Sequence, residues 1–396
     1  TWTATGSGLL ARLWHPLWVP QLRIGDIAVD PPVVLAPMAG VTDAPFRVLC
    51  AEFGRGLFVN QMVTARALVE GHRVSWELAR FHPTEKVRSL QLYGTDPHYM
   101  GEAVRRLVGE GLVDHIDLNF GCPAPKVTRN GGGAALPWKR RLLASVIGAA
   151  VGSADRESGG SVPVSVKFRM GIDDDHLTYM DTGRIASEAG AASLALHART
   201  ALDHYGPPAR WEAIAALKAS VSGIPVLGNG DITCAADATS MMQRTGCDGV
   251  VVGRGCLGRP WLFAELQASF EGREPPPAPR LGEVADVIRR HVSLLVEWNG
   301  GEQRLTSFRK HLAWYFKGYA VGSELRRQAG QVSTVGDIEG LLERLDADAP
   351  APVGAAGFNR SHSNPLKRVA LPDRWLEDPE EELAAAPGAD ALVSGG

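Results

Sequence analysis

His115-Ile116-Asp117-Leu118-Asn119-Phe120-Gly121-Cys122-Pro123 reads as a short buried strand that runs out into Asn, Gly, Cys and Pro. Asn119 can donate and accept hydrogen bonds, so it suits the edge of a planar heterocycle. Gly121 lets a flat group approach the backbone, and Gly121 with Pro123 sets a turn. Most cysteines are small buried hydrophobes. Cys122, however, follows the apolar run instead of sitting inside it. A thiol of ordinary pKa, about 8.5, is mostly protonated at neutral pH. That state suits a proton donor better than a nucleophile, which needs a partner to depress its pKa.

Working outward, eight short apolar runs recur, each followed by a helical pattern: Val33–Pro37, Leu57–Asn60, Ser89–Tyr93, His115–Asn119, Val162–Phe168, Ala192–His197, Ile224–Gly228 and Gly249–Gly253. Their spacing is that of one βα unit, and alternation of this kind builds a parallel sheet. Eight units close naturally into a (β/α)8 TIM barrel of the α/β class. A doubly wound open sheet is the structural alternative, weakened because no GxGxxG follows the first run.

The strand ends are polar in a patterned way. The first ends on Pro37-Met38-Ala39, the third carries Gln91, and the fourth carries Asn119 and Cys122. The fifth offers Lys167 and Arg169, the sixth His197, the seventh Asn229-Gly230-Asp231 and the eighth Gly253-Arg254-Gly255. Any one of these could be an ordinary structural group. Together they match barrel enzymes, whose side chains converge on one mouth from several strands. Gly-rich backbone after the last two strands suits a phosphate, and Arg254 adds a fork of donors. A phosphate-bearing cofactor is therefore expected, with Lys167 placing positive charge against an anionic ring such as a reduced flavin.

Composition bounds the rest. The chain has 396 residues and a net charge of −3, so a nucleic-acid partner must be met by a local basic face. Five scattered cysteines argue against a disulfide framework or a metal site and favour the reducing cytoplasm. No apolar run approaches the roughly 20 residues of a membrane span. Residues 1–22 read as an N-terminal extension, 23–272 as the catalytic barrel and 273–280, with its prolines, as a stiff linker. Residues 281–345 read as a helical domain, and 346–396, rich in Ala, Pro, Gly and acids, as a disordered tail that stays off RNA. Between Ala285 and Gln328, eight Lys or Arg face four acids, and aromatics interleave with them. This is either an ordinary charged helical surface or a phosphate-contacting RNA face.

Taken together, APMAGVTDAPFR (36–47), QLYG (91–94), DLNFGCPAPKVTRNGGGAAL (117–136), VKFRMG (166–171), LHART (196–200), GNGDI (228–232), GRGCLGRPW (253–261) and RKHLAWYFKG (309–318) resemble the tRNA-dihydrouridine synthases, nearest the bacterial B-type subfamily, from about Arg23 to Leu345. The resemblance implies a flavin-bearing barrel with a C-terminal helical tRNA-binding domain. It implies reduction of a tRNA uridine by FMN that NADPH recharges. By the same resemblance, Pro37, Met38 and Ala39 line the flavin, and Gln91, Lys167 and His197 bond its ring or ribityl chain. Asn229, Gly230, Asp231, Gly253 and Arg254 hold the ribityl and phosphate end. Cys122 corresponds to the proton donor, Asn119 and Arg169 to uracil contacts, and Arg309, Lys310, His311 and Lys317 to part of the tRNA face. A monomer without metal is expected. Two readings compete: a small-molecule FMN barrel oxidoreductase of the dihydroorotate or dihydropyrimidine dehydrogenase type, and a non-catalytic RNA-binding protein on a barrel fold.

Overall fold

The computed structural model describes residues 21–206, 208–354, 357 and 365–381. Its centre is a ring of parallel strands: β1 (Val33–Leu35), β2 (Leu57–Phe58), β3 (Ser89–Tyr93), β4 (His115–Phe120), β5 (Val164–Arg169), β6 (Ser193–His197), β7 (Val226–Asn229) and β8 (Gly249–Val252). Most residues of these strands are buried, as expected where helices cover the outside of a parallel sheet. β8 pairs with β1 (Val251 opposite Val34), and β1 pairs with β2 (Val34 opposite Leu57). The ring closes where Val59 bridges Ser89 and the Asn60 N–H donates to the Ser89 carbonyl at 2.9 Å. The second stave is interrupted here, and Val63–Thr64 resumes pairing with β3. The interruption is held from outside by Arg47, whose buried guanidinium donates to Asn60 Oδ1 at 2.7 Å and is paired with Glu85.

An antiparallel hairpin, Leu22–Ile24 with Ile27–Val29, plugs the bottom of the barrel. Leu22, Ile24 and Val29 pack there against Val34, Leu57, Ala195, Leu227 and Val251. With the floor sealed by apolar side chains, the carboxyl ends of the strands form the open mouth.

Several helices are started or stopped by a local signal. In α1 (Ala44–Phe53), Asp43 accepts from the Phe46 N–H and Pro45 stands in the first turn. In α2 (Pro97–Gly109), Asp96 plays the same part. α3 (Arg140–Ser158) ends on Gly159 in the left-handed region. The longer helices that follow on the outside of the barrel are α4 (Tyr179–Glu188), α5 (Trp211–Ser220), α6 (Ala235–Thr245) and α7 (Leu262–Phe270).

After the prolines come α8 (Leu281–Asn299), α9 (Arg309–Tyr315), α10 (Gly322–Ala329) and α11 (Val335–Leu342), which share their own apolar core around Ile288, Phe308, Leu312, Phe316 and Leu341. This unit docks on α1. The Phe46 ring lies 5.6 Å from His291 and 5.8 Å from His311, and Arg290 pairs with Glu52.

The expectation of a disordered tail over 346–396 needs correction between 365 and 381. That stretch lies on the barrel, with Trp375 only 8% exposed in the main core. Composition misled here because two of the acids of the stretch, Glu381 and Glu380, are matched by Lys139 and Arg140, far away in sequence.

Candidate active site

Side chains pointing into the barrel are ordered in layers set by strand register. In the deepest polar layer, Ser89 Oγ and His115 Nδ1 lie 2.7 Å apart, His115 Nε2 and Ser165 Oγ 2.8 Å, and Ser165 and Ser193 Oγ 2.6 Å. Buried polar groups need such partners. The layer above it carries the titratable groups. Gln91 Nε2 donates to Asp117 Oδ2 at 2.6 Å, and Lys167 Nζ donates to Asn229 Oδ1 at 3.1 Å. Asn229 in turn donates to the Val251 carbonyl at 2.7 Å. Burial pushes the Asp117 carboxyl up to about 7 and pulls the Lys167 ammonium down to about 8. The mutual attraction of the two opposes both shifts.

At the rim, the turn after β4 is built by Asn119. Its Oδ1 accepts from the N–H groups of Gly121 and Cys122, each at 3.0 Å, while its Nδ2 donates to Gln91 Oε1 at 2.8 Å. Arg169 holds the same turn from the other side, donating to the Gly121 carbonyl at 2.9 Å. It also donates to the carbonyls of Thr200 (2.9 Å) and His204 (2.7 Å), which ties the loops after β4 and β6 together. Cys122 is half-buried. Burial raises its thiol pKa, against the pull of the Ala124 backbone N–H and the charge of Arg169, so the protonated form dominates at neutral pH. The loop returns close to it: the Ala134 N–H donates to the Cys122 carbonyl at 3.0 Å. Gly133, at φ +54°, must be glycine, because a Cβ there would stand 2.4 Å from that carbonyl oxygen.

Beside this turn, over β5 to β8 and β1, a cavity of about 440 Å³ opens. Pro37, Met38, Lys167, His197, Asn229 and Arg254 are among its lining residues. Lys167, Arg199 and Arg254 supply three cations against one carboxylate, Asp231. Asp231 is already engaged: it chelates Arg199 at 2.6 and 2.8 Å and accepts from the Ala209 N–H at 2.7 Å. Arg254 lies over the Tyr205 ring, 4.4 Å from its centroid. His197 is held neutral, its pKa driven well below the usual value by burial and then by the neighbouring cations. The surplus of positive charge, and glycine backbone at 230, 253 and 255, make this end fit for a phosphate. Met38 and Lys167, on the same cavity, are residues that would line a flat ring.

A family model described as "Dihydrouridine synthase (Dus)" matches residues 34–350. The chain belongs to the dihydrouridine synthase family. A "Probable tRNA-dihydrouridine synthase" of Mycobacterium tuberculosis (strain ATCC 25618 / H37Rv) is 54% identical over 384 residues, 95% of this chain and 97% of that one. A "tRNA-dihydrouridine synthase B" of Xanthomonas campestris pv. campestris is 36% identical over 339 residues, 85% of this chain and all of that one. Among solved structures, histamine dehydrogenase from Rhizobium sp. 4-9 superposes with a TM-score of 0.50 at 12% identity. That match covers 83% of this chain and 65% of that one, and it bears on the fold alone.

Within this dihydrouridine synthase barrel, Pro37, Met38, Lys167, His197, Asn229, Gly230, Asp231, Gly253 and Arg254 all line the one cavity. Ala39 is exposed next to Met38, and Gln91 is buried outside the cavity lining, in the layer of Asp117, and reaches the rim through Asn119. Asn119 and Arg169 are committed to the Cys122 turn, so their first duty is to shape it.

The presumed tRNA face divides. Lys317 is exposed, but His311 is only 6% exposed and stacks on Phe308. His311 is thus corrected from an RNA contact to an interdomain core residue, because α9 turns it toward Phe46. The Arg309 guanidinium is tied to the Val332 and Gln331 carbonyls. Lys310 reaches the mouth itself, donating to the Gly40 carbonyl at 2.5 Å.

Sequence reading missed Arg199 and Tyr205. Arg199 sat in the LHART run, and its i+2 spacing from His197, placing both on the same side of an extended chain, was the available signal. Tyr205 lies in a loop and had none.

Proposed function

We propose that this protein reduces specific uridines of tRNA to 5,6-dihydrouridine, with FMN as bound cofactor and NADPH as reductant, in the cytoplasm. One arrangement carries the reading: a protonated, half-buried thiol on a braced turn beside a cation-rich cavity at a barrel mouth. Arg199 and Arg254 would hold the phosphate, Asn229 and Gly230 the ribityl chain, and Lys167 the electron-rich edge of the ring. Reduced FMN, when bound, supplies a hydride to uracil C6.

The target base must leave its stack to reach the mouth. Arg169 and Asn119 keep the Cys122 turn fixed while it enters. Cys122 then gives its proton to C5 as negative charge develops on the uracil as an enolate. Its raised pKa keeps that proton in place until it is needed. Residues 281–345 form the tRNA-binding domain of this reading, with Lys317 on the surface and Lys310 at the seam.

The test is conversion of unmodified tRNA by the purified, FMN-loaded protein, with dihydrouridine mapped by mass spectrometry. Formation at defined positions is expected. Turnover of dihydroorotate-like small molecules with none on tRNA would replace this reading.

A further inference from the structure

We infer that the C-terminal stretch 365–381 is a working part of the active site, with Trp375 a positioning residue for the Cys122 loop. This rests on the reading of Cys122 given above. The stretch lies beyond residues 34–350, which the family model matches.

The contacts converge on one loop. The Trp375 indole Nε1 donates to the Ala135 carbonyl at 3.0 Å, a buried hydrogen bond. Its ring presses on Gly131, where an added Cβ would stand 2.4 Å from the ring edge. Gly131 is at φ +76°, so glycine is required there twice over, by backbone conformation and by the tryptophan. Between these two contacts lie Gly133 and Ala134, which close on the Cys122 carbonyl. Trp375 is thus one loop residue removed from the turn that carries the thiol.

A charge clasp holds the strap down. Lys139 follows the loop and has no exposed side-chain surface. Its Nζ donates to the Asp378 carbonyl at 2.6 Å and to Glu381 Oε2 at 2.8 Å, and it sits 5.3 Å from the Trp375 ring centroid. Arg140 pairs with Glu380 at 3.0 Å, and its backbone N–H donates to the Pro379 carbonyl at 3.0 Å. A fully buried ammonium needs its counter-charge and acceptors in place, and Lys139 takes these from the strap. A loosely attached acidic tail competing with RNA for Lys139 and Arg140 would not bury Trp375 in the core.

The test uses the full FMN-loaded chain and Trp375→Ala, with Trp375→Phe to keep a ring but remove the indole donor. Three readouts are followed: bound flavin, alkylation of Cys122 by iodoacetamide quantified by peptide mass spectrometry, and turnover on unmodified tRNA. In Trp375→Ala, flavin content is expected to hold while alkylation of Cys122 rises and kcat on tRNA falls, each about tenfold or more, since small misplacements of a reacting group cost factors up to about 100. Trp375→Phe should fall between. KM for tRNA should change little. Unchanged Cys122 alkylation, or faster turnover with tighter tRNA binding, overturns the proposal; the second result would mark the strap as an inhibitor. Because alkylation needs no tRNA, failure of the substrate reading leaves this result interpretable.

Discussion

Asn119 Oδ1 lies 3.0 Å from the Cys122 backbone nitrogen and accepts its hydrogen bond. One side chain at the end of β4 therefore holds the turn and the backbone that carries the thiol. Removing it should act on chemistry before stability. Asn119→Ala leaves two N–H groups and Gln91 Oε1 without their partner, at about 1–3 kcal/mol for a buried unmet group. We expect flavin content near wild type and tRNA turnover reduced about tenfold or more. Asn119→Asp, which keeps the acceptor, should recover part of the loss. Equal activity of Asn119→Ala and wild type would remove Asn119 from the account.

Cys122→Ala should retain FMN and lose about 10²- to 10⁴-fold in the tRNA step, the usual contribution of a general acid. The pH dependence follows from the raised thiol pKa. A donor works only below its pKa, so ionisation of the thiol should cost nothing until past pH 8.5, where an ordinary thiol would already be losing its proton. A step near pH 8 from Lys167, whose ammonium burial pulls down to about 8, should appear equally in Cys122→Ala. Single-turnover rates of pre-reduced enzyme across pH 7–10 measure this. A fall near or below pH 8 that Cys122→Ala does not share would contradict it.

At the phosphate end, Asp231 holds Arg199 by two short contacts. Charge-assisted hydrogen bonds contribute about 1.5–3 kcal/mol. Arg199→Ala and Arg254→Ala should each weaken FMN binding about 10- to 100-fold by fluorescence titration and narrow the preference for FMN over riboflavin. Asp231→Ala should weaken it less, by freeing Arg199 to move. A variant that loses FMN and riboflavin equally would place the phosphate elsewhere.

Lys317 and His311 should separate cleanly. Lys317→Ala is predicted to weaken tRNA binding uniformly and lower the salt slope by about one. His311→Ala should lower Tm and leave the slope alone, since the ring packs against Phe46 and Phe308. A changed slope for His311→Ala would return that residue to the RNA surface.

Buried histidines also set an acid limit. Burial holds His291 at about 3 and His115 at about 4, both below the unfolded value near 6.5. The unfolded chain therefore binds more protons as pH falls below 6.5, and stability is lost in that direction. At pH 5 the loss is about 2 kcal/mol per histidine. Thermal melts from pH 7.5 to 5 should show it, with a shallower slope for His291→Phe. An unchanged slope would mean that His291 is already charged in the fold.

Much of this was legible in the sequence because barrel strands announce themselves twice, by apolar runs and by polar endings. Lys167, His197, Asn229 and Arg254 were readable as mouth residues on that ground alone. What escaped was set by distance in sequence. Lys139 and Glu381 are 242 positions apart, and neither shows by its neighbours that it is half of a pair. His311 was placed on the tRNA face by the family resemblance of RKHLAWYFKG (309–318), which carries no information on which way a side chain turns. The helix rotates it inward all the same, and only packing against α1 reveals that. The broken second stave escaped too, since two-residue strand pieces carry no period.

The most direct test of the central claim is a single-turnover experiment in which pre-reduced enzyme meets unmodified tRNA and flavin reoxidation is followed at about 450 nm, where oxidised flavin absorbs. We predict prompt reoxidation by the wild type with one dihydrouridine formed per flavin, and at least ~100-fold slower reoxidation by Cys122→Ala at unchanged flavin content. Equal rates in the two proteins, or reoxidation without dihydrouridine, would contradict the assignment of Cys122 as proton donor at a tRNA-reducing site.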